Sequence, residues 1–317
     1  MACVMFGRWE GCRRGFPARL AHGVLVGLAF LAAALVVGCR PGAEAPLRVG
    51  FMICNSVEET RARFAPLAAH LAEQLGRRVE PVWLDTADFD EALRERRFDL
   101  IHTNSYLYAW FNEAHGFRVL AGEARGKDGA YSSGTIIAGR ESPVKTLADL
   151  RGRRFVFGPD FAPTAYLSQC WLLLEAGIDP ERDLGYYAFP SGSYKHEKAI
   201  LAVVNGAFDA GSGPALDLEV MEAEGKLLAE EYRVIAQGPK IPYCVVSAAP
   251  SLPEATFRAV QKALFAVSAE TVAALDGEVL KVLKSAQVDG FVPLEEKDFD
   301  VVRAMAKRCN LPPYAAY

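Results

Sequence analysis

The chain has 317 residues, enough for two α/β domains of about 100–200 residues each. Its hydrophobic content of 51% and charged content of 23% are those of a folded globular protein and exclude a disordered chain. The formal charge is −4, and lysines and arginines are scattered rather than clustered. This pattern excludes a nucleic-acid-binding surface, so no nucleic-acid partner is expected.

The N-terminus has the pattern of an export signal. Residues 1–22 carry four arginines against one acid, and an apolar run over residues 23–38 follows. A basic segment, an apolar segment and small residues before a break predict a signal peptide over residues 1–38. At roughly 15 residues the run is short for a membrane span, which needs about 20. A plain signal anchor and either the Sec or the twin-arginine export route remain alternatives.

Residues 36–39, Val-Val-Gly-Cys, are similar to a bacterial lipobox. The similarity implies that Cys39 is lipidated and becomes the mature N-terminus, with residues 39–46 as a short linker to the membrane surface. The mature protein is then an extracytoplasmic lipoprotein. Four further cysteines, Cys54, Cys170, Cys244 and Cys309, could pair outside the cytoplasm or stay as buried thiols. No cysteine or histidine spacing indicates zinc, and neither a metal nor a cofactor is expected.

Strands and helices alternate in the first part of the mature chain. Strands are predicted at residues 47–53, 79–84 and 98–101, and helices at residues 64–75 and 88–96. A third helix follows the strand at 98–101 and runs to residue 113. Such alternation predicts a parallel sheet with right-handed crossovers, in which ligands bind beyond the carboxyl ends of the strands. Polar residues that follow the first and third strands are therefore candidate ligand contacts: Asn55, Ser56, Asn104, Ser105 and Tyr106.

A second alternating unit follows, with strands predicted at residues 131–138, 155–157, 186–189 and 208–210. Pro163 and Thr164 stand where a helix begins, as do residues 193–196, and free N–H groups at a helix start favour an anion. Return strands are predicted near residues 234–235 and 244–247. The remaining helices are predicted at residues 252–275, 277–285 and 296–308.

Together the two units predict an α/β protein of two lobes around a hinged cleft. The first lobe is predicted at residues 47–138 and 245–317 and the second at residues 139–244. Hydroxyls, amides and helix N–H groups from both lobes gather at the cleft, with Lys195 and His196 as the only cations expected nearby. This chemistry favours a small oxyanion.

Several segments in order resemble one family. They are residues 47–51 (LRVGF), 131–137 (YSSGTII), 142–158, 196–211 and 290–293 (GFVP). The family is that of the phosphate/phosphite/phosphonate-binding proteins of ABC transporters, and the resemblance covers nearly all of residues 47–311. It implies a two-lobed periplasmic binding protein that is no enzyme, a monomer, and a partner of a permease and an ATPase.

The resemblance also implies site residues. Thr164 and His196 match a threonine and a histidine of the family's site, and Tyr131 an aromatic residue near the cleft. The full set of candidate ligand contacts is then Asn55, Ser56, Asn104, Ser105, Tyr106, Tyr131, Thr164, Tyr194, His196 and Asp209.

The chain departs from the family pattern at several of these places. Pro163-Thr164-Ala165 replaces a Ser-Thr-Ser run, and Thr103 stands where a tyrosine is common. The carboxylates of aminophosphonate binders correspond to Leu216, next to Asp217, and to Tyr243 or Cys244. An aminoalkyl phosphonate is therefore not expected, whereas phosphate, phosphite and other small ligands remain open.

Two other functions remain alternatives. A lipoprotein that senses a ligand for a membrane receptor would share the fold. A hydrolase is the weaker alternative, because there is no Gly-x-Ser-x-Gly motif and no phosphate-binding glycine-rich loop with lysine.

Overall fold

The computed structural model describes residues 44–95 and 98–315. The predicted signal peptide and the predicted lipid attachment at Cys39 lie outside these residues. Within the described part, no helix is both long and apolar enough to cross a membrane. The two-lobed α/β fold predicted from the sequence is confirmed: two mixed sheets are each covered by helices, and the chain forms the second sheet before it returns to complete the first.

The first lobe is built on a six-stranded sheet in the order β13-β4-β10-β3-β1-β2. β1 is parallel to β2 and β3, whereas β10 runs antiparallel to β3 and β4. Its strands are β1 (Leu47–Met52), β2 (Val79–Leu84), β3 (Leu100–Asn104), β4 (Arg118–Ala124), β10 (Cys244–Ala248) and β13 (Gly290–Val292).

The second lobe is built on a five-stranded sheet in the order β7-β6-β8-β5-β9. β6 is parallel to β7 and β8, and the long strands β5 and β9 run antiparallel. Its strands are β5 (Tyr131–Gly139), β6 (Arg154–Val156), β7 (Tyr186–Ala188), β8 (Ala210–Ser212) and β9 (Tyr232–Pro242).

Ten α-helices connect and cover the sheets in the described part of the chain. They are α1 (Val57–Leu75), α2 (Phe89–Arg94), α3 (Ser105–His115), α4 (Ser168–Glu175), α5 (Pro180–Asp183), α6 (Lys195–Val204), α7 (Ala215–Ala223), α8 (Glu254–Phe265), α9 (Val282–Ala286) and α10 (Asp300–Arg308). A π-helical turn (Pro163–Leu167) precedes α4, with proline in its first position. Proline is tolerated there because its missing N–H would have no helical partner.

Helix α1 covers one face of the first sheet, and its sequence explains why. Phe64, Leu67 and Leu71 recur at three- and four-residue steps and are buried in one cluster with Phe51. Fully burying a side chain of the size of Phe64 contributes about 2–3 kcal/mol. Ser56 caps the start of this helix, and Gly76 ends it in the left-handed region at φ 57°.

The boundary between the lobes differs from the prediction at residues 131–138. β5 pairs along its whole length with β9, so residues 131–138 belong to the second sheet rather than to the first lobe. The chain leaves the first sheet at Ala124 and returns between Pro242 and Cys244. The hinge therefore includes the start of β5 and the junction of β9 with β10.

The helices predicted over residues 252–275 and 277–285 are also wrong in part. α8 ends at Phe265, and a β-hairpin of β11 (Val272–Leu275) and β12 (Glu278–Lys281) replaces the helical continuation. Asp276 and Gly277 connect its strands with φ of 51° and 85°. A two-residue Asp-Gly connection with positive φ at both positions is the preferred tight turn of a hairpin.

Candidate functional site

The ends of several strands meet at one edge of the first sheet. Beyond β1 the chain continues into Cys54, Asn55 and Ser56, and β3 ends at Asn104. β10 begins at the same edge, because Cys244 pairs with Asn104. The turns that follow β3 and β4 and the start of β10 therefore place polar side chains together, as expected for ligand sites in open α/β sheets.

The second lobe faces this edge and touches it. Ser193 Oγ donates to the backbone oxygen of Asn55 at 2.9 Å, and the Tyr194 N–H donates to Asn55 Oδ1 at 3.0 Å. Asn104 Nδ2 donates to the backbone oxygen of Phe161 at 3.0 Å. These three hydrogen bonds join the lobes across the cleft, so the structure is a closed arrangement of the two lobes.

A buried hydrogen-bonded pair, His102 and Glu123, lies beneath the cleft in the first lobe. His102 Nε2 and Glu123 Oε1 are 2.8 Å apart, and the two side chains are 1% and 0% exposed. Burial raises the pKa of Glu123, but His102, Arg63 and Arg125 outweigh that effect and hold it below its usual value. Glu123 is therefore an ionised carboxylate in a place where an unpaired charge would be costly.

Two arginines accompany this pair. Burial lowers the pKa of Arg63, yet the negative charge of Glu123 outweighs burial and raises it above its usual value. Arg63 Nε and Nη2 also donate to the Ala286 carbonyl at 3.2 and 2.9 Å, which fixes the guanidinium. The prediction that Lys195 and His196 are the only cations near the cleft is therefore wrong, because α1 and the turn after β4 bring arginines there.

The second lobe contributes a second pair of titratable groups. His196, in the first turn of α6, has its Nδ1 3.1 Å from Asp217 Oδ2 in the first turn of α7. Burial lowers the pKa of His196, but the Asp217 carboxylate outweighs it and the pKa lies above its ordinary value. The negative charge of Asp217 also raises the pKa values of Cys54 and Tyr243, so this pair faces the first lobe.

Two thiols and a phenol complete the first-lobe side of the cleft. Burial raises the pKa of Cys54, and burial also raises the pKa values of Tyr243 and Cys244 well above their usual ranges. These groups are therefore neutral near pH 7 and can donate hydrogen bonds. They add polarity to the cleft without adding charge.

Several buried polar atoms near this edge have no hydrogen-bond partner among residues 44–95 and 98–315. They are His102 Nδ1, Thr103 Oγ1, Ser105 Oγ and Glu123 Oε2. A buried polar group without a partner costs free energy, and a bound ligand or water is the usual reason for its presence. Hydroxyl groups are the donors that suit an anionic oxygen.

One cluster has the residue types of a metal site. Ligand atoms of His102, Glu123 and Cys244 all lie within 4.8 Å of one another, and all three residues are buried. His102 and Glu123 already bond to each other at 2.8 Å. We therefore interpret the cluster as a hydrogen-bonded pair of His102 and Glu123 rather than as a metal site.

Six of the ten predicted contacts lie at the cleft. Asn55 and Tyr194 form the bond between the lobes, and His196 pairs with Asp217. The side chains of Ser56 and Asn104 accept from backbone N–H groups of the helices they cap. The sixth, Ser105, follows β3 and has its backbone N–H bonded to the Tyr243 carbonyl at 3.0 Å.

Of the other four predicted contacts, Thr164 follows Phe161 at the helix start beside the cleft, whereas the remaining three are engaged elsewhere. Thr164 is buried in the π-helical turn before α4. Tyr131 pairs with Pro242 in the hinge, and its phenol bonds to Asp298. Tyr106 is buried, with its hydroxyl donating to the Pro312 carbonyl at 2.9 Å.

Asp209 does not reach the cleft. Asp209 directly precedes β8, whereas the cleft lies at the other end of this strand. Its carboxylate accepts a hydrogen bond from the backbone N–H of Arg154 in β6 at 2.9 Å. It lines a separate surface concavity of about 510 Å³. Asp209 therefore ties β6 to β8 and is corrected from a candidate contact to a structural residue.

The prediction missed the charged groups that give the cleft its character. Arg63 lies one residue before Phe64, on the helix that was predicted only from its apolar stripe. Glu123 and Arg125 lie at the end of β4, a strand that was not predicted at all. Asp217 was recognised only as the neighbour of Leu216, which is buried.

Comparison with known proteins agrees with this architecture. A family model described as "ABC transporter, phosphonate, periplasmic substrate-binding protein" matches residues 49–299. The chain is 18% identical to PhnD1 from Prochlorococcus marinus (MIT 9301) in complex with methylphosphonate, with a TM-score of 0.67 over 83% of this chain and 98% of that one. XAC2383 from Xanthomonas citri bound to ATP is likewise 18% identical, with a TM-score of 0.66 over 83% and 96% of the two chains.

A segment similar to this chain is also part of a longer protein. The chain is 27% identical over 242 residues to the tetrathionate sensor histidine kinase TtrS of Salmonella typhimurium (strain LT2). The match covers 73% of this chain and 39% of TtrS. The chain thus spans about two fifths of the length of that relative.

Proposed function

Because the chain belongs to the family of phosphonate substrate-binding proteins of ABC transporters, we propose that it captures a small oxyanion between its lobes and delivers it to a permease. The family is periplasmic, and the mature protein acts on the outer side of the cytoplasmic membrane. Lipidation of Cys39 would keep it beside the permease and its ATPase. It acts as a monomer and catalyses no reaction.

The observation that carries the proposal is the convergence of donors from both lobes on one cleft. His196 comes from the second lobe, and Arg63 and Arg125 come from the first. Ser105 adds a buried hydroxyl without a partner within the described residues. An anion held by both lobes stabilises the closed form, because it loses half of its partners when the lobes separate.

Relatives support an oxyanion as the ligand class. Methylphosphonate, ATP and tetrathionate, in the names of the three similar proteins, all carry oxyanion groups. An aminoalkyl phosphonate fits less well, because Asp217 is already paired with His196 and Glu123 with His102. An ammonium group would therefore have to compete with a histidine for either of these two carboxylates in a partly desolvated cleft.

A specific observation favours a second candidate, ligand sensing. Identity to the sensor kinase is 27%, against 18% to the two solved binding proteins. In this alternative the closed lobes would contact a membrane receptor in place of a permease, and the ligand would be a sulfur oxyanion. Capture of an ABC permease from the membrane by the closed form supports transport, and capture of a histidine kinase instead supports sensing.

The proposal is tested by thermal-shift and calorimetric titration of the purified mature chain. The panel is phosphate, phosphite, methylphosphonate, sulfate, thiosulfate and tetrathionate. A ligand at 100 times its dissociation constant should add about 2.7 kcal/mol to the free energy of unfolding. Stabilisation by none of them would reject the ligand class, and hydrolysis of a phosphate monoester added in a separate assay would favour the hydrolase alternative.

Thr164→Val tests the threonine that the family resemblance assigns to the site. The variant keeps the side-chain volume and removes one hydroxyl. We expect weaker binding with an unchanged unfolding temperature of the free protein. The matched control is Thr86→Val, in an exposed turn of the first lobe. Unchanged affinity for Thr164→Val would move the site away from this helix start.

A further inference from the structure

Two of the four cysteines in the described chain lie in contact far from the ligand cleft. Cys170 is in α4 of the second lobe, and Cys309 directly follows α10. Each thiol is the strongest influence on the pKa of the other, which indicates that the two side chains are neighbours. Cys309 Sγ also lies 3.8 Å from the Leu167 carbonyl, at the end of the π-helical turn that leads into α4.

The helices that carry these cysteines are held together by other contacts. Arg308 donates to Glu175 Oε1 and to the Leu174 carbonyl, each at 2.8 Å. Cys309 packs on an apolar cluster that contains Leu167 and Met305. The approach of the two thiols is therefore fixed by packing on both sides and does not depend on the thiols themselves.

We propose that Cys170 and Cys309 form a disulfide in the exported protein. Extracytoplasmic proteins fold under oxidising conditions, in which neighbouring thiols are converted to stable disulfides. A disulfide needs Cβ atoms about 3.8 Å apart and sulfur atoms about 2.05 Å apart. Cys309 Sγ already lies beside the Leu167 carbonyl, three residues before Cys170, so the two sulfur atoms can meet by side-chain rotation while the helices stay in place.

The chemistry needs an oxidant, for which we name a reactive disulfide, RSSR. The Cys170 thiolate attacks one sulfur of RSSR, which forms a mixed disulfide and releases RS⁻. Cys309 then loses its proton and attacks the Cys170 sulfur, which releases the second thiol. The neighbouring Cys309 thiol lowers the pKa of Cys170, and this favours the nucleophilic thiolate. Two protein thiols and RSSR thus give one protein disulfide and two RSH.

The other two cysteines provide an internal comparison. Cys54 and Cys244 lie on the first-lobe side of the cleft, and burial raises the pKa values of both thiols. Cys54 affects the pKa of Cys244 only through its charge, not through direct contact. We therefore expect both thiols to remain reduced when Cys170 and Cys309 are oxidised.

The position of the bond gives it a mechanical consequence. α10 packs against α3 of the first lobe and α4 of the second, and its apolar cluster includes Ile241 at the hinge. A covalent bond from Cys309 to Cys170 fastens the C-terminal segment to the second lobe on the hinge side. The cleft side can still open about this edge, whereas detachment of the C-terminal helix is prevented.

The experiment uses the full chain, exported with its own N-terminus and extracted in detergent without reductant. Free thiols are alkylated in denaturant, and tryptic peptides are analysed by mass spectrometry. Trypsin leaves Cys170 in the peptide of residues 155–182 and Cys309 in that of residues 309–317, each with a single cysteine. We expect these two peptides joined by a bond that reductant cleaves, with Cys54 and Cys244 alkylated.

Variants connect the bond to stability. The unfolding temperature of the wild-type protein should fall by roughly 10 °C on reduction, because the bond closes a loop of about 140 residues. Cys309→Ser should be insensitive to reductant, and Cys54→Ser should behave as the wild type does. Alkylation of both Cys170 and Cys309 in the exported protein, or a bond between Cys54 and Cys244 instead, would overturn the inference.

Discussion

The buried pair of His102 and Glu123 offers the sharpest test of the electrostatics beneath the cleft. Glu123→Gln keeps the shape of the side chain and removes its charge, so that Arg63 and Arg125 lose their buried counter-charge. Breaking a buried ion pair by removing one partner costs about 3–5 kcal/mol. Because the amide can still bond to His102, we expect a loss near 3 kcal/mol, which lowers the unfolding temperature by roughly 6–12 °C.

The pH dependence of stability gives the same test a second signature. The folded pKa of Glu123 lies below its unfolded value, which is near 4.5. Its stabilising contribution is therefore complete above about pH 4.5 and is lost as pH falls through the lower folded pKa. The free-energy difference between wild type and Glu123→Gln should shrink on acidification in that range.

The assay is urea unfolding followed by circular dichroism at pH 7 and at pH 4, without ligand. Glu254→Gln is the matched control, since Glu254 pairs with Arg118 and Arg258 on the exposed surface. Exposed pairs contribute little, so this variant should unfold as the wild type does. A Glu123→Gln protein as stable as the wild type at pH 7 would refute an ionised, paired carboxylate at this site.

Three further changes test the contacts across the cleft and one turn outside it. Asn55→Ala removes the side-chain acceptor of the Tyr194 N–H. Because a hydrogen bond contributes about 1 kcal/mol, we expect ligand binding measured by calorimetry to weaken about fivefold. Unchanged affinity would mean that this bond does not stabilise the closed form. The pKa of His196 lies above its ordinary value of 6.5, and affinity for an anion should fall as pH rises through that pKa. The His196→Gln variant should show a flatter pH profile. A variant whose affinity depends on pH as strongly as that of the wild type would contradict a role for the imidazolium. Gly277→Ala should cost about 1 kcal/mol in urea unfolding through its φ of 85° without changing ligand affinity, and a variant of wild-type stability would contradict the strained turn.

The sequence predicted the parallel, locally connected parts of the fold well. β1, α1, β2 and β3 follow one another with the apolar spacing of their classes. The three strands were placed within a few residues, whereas α1 was found from its apolar stripe and begins at Val57, before the predicted start at residue 64. The hairpin at residues 272–281 was missed because the apolar residues of α8 were extended past its end. Asp276-Gly277 was the available signal, since an Asp-Gly pair between short apolar runs favours a tight hairpin turn.

The cleft was harder to predict because its charged residues lie on elements defined by other features. Arg63 lies next to the apolar stripe of α1, and sequence alone cannot tell whether such a residue points to solvent or over the edge of a sheet. Its partner Glu123 lies 60 positions away on β4, which is held between β10 and β13, two strands from much later in the chain. Polar residues that directly follow strands were found because their position alone places them near the cleft.

This difference bears on how the ligand is selected. The strand-end residues Asn55 and Asn104 are used here to join the lobes and to cap a helix. Groups that could distinguish one oxyanion from another are therefore the ones brought in by tertiary structure, with Arg63 and Arg125 on one side and His196 on the other. Histidine gains or loses its charge near neutral pH, whereas arginine stays charged. We therefore expect ligands that keep two negative charges at pH 7 to depend most on His196, and singly charged ligands to depend least on it. A ligand panel titrated against His196→Gln at one pH would test this ordering, and equal losses for sulfate and for a monoanion such as methylphosphonate at pH 6 would contradict it.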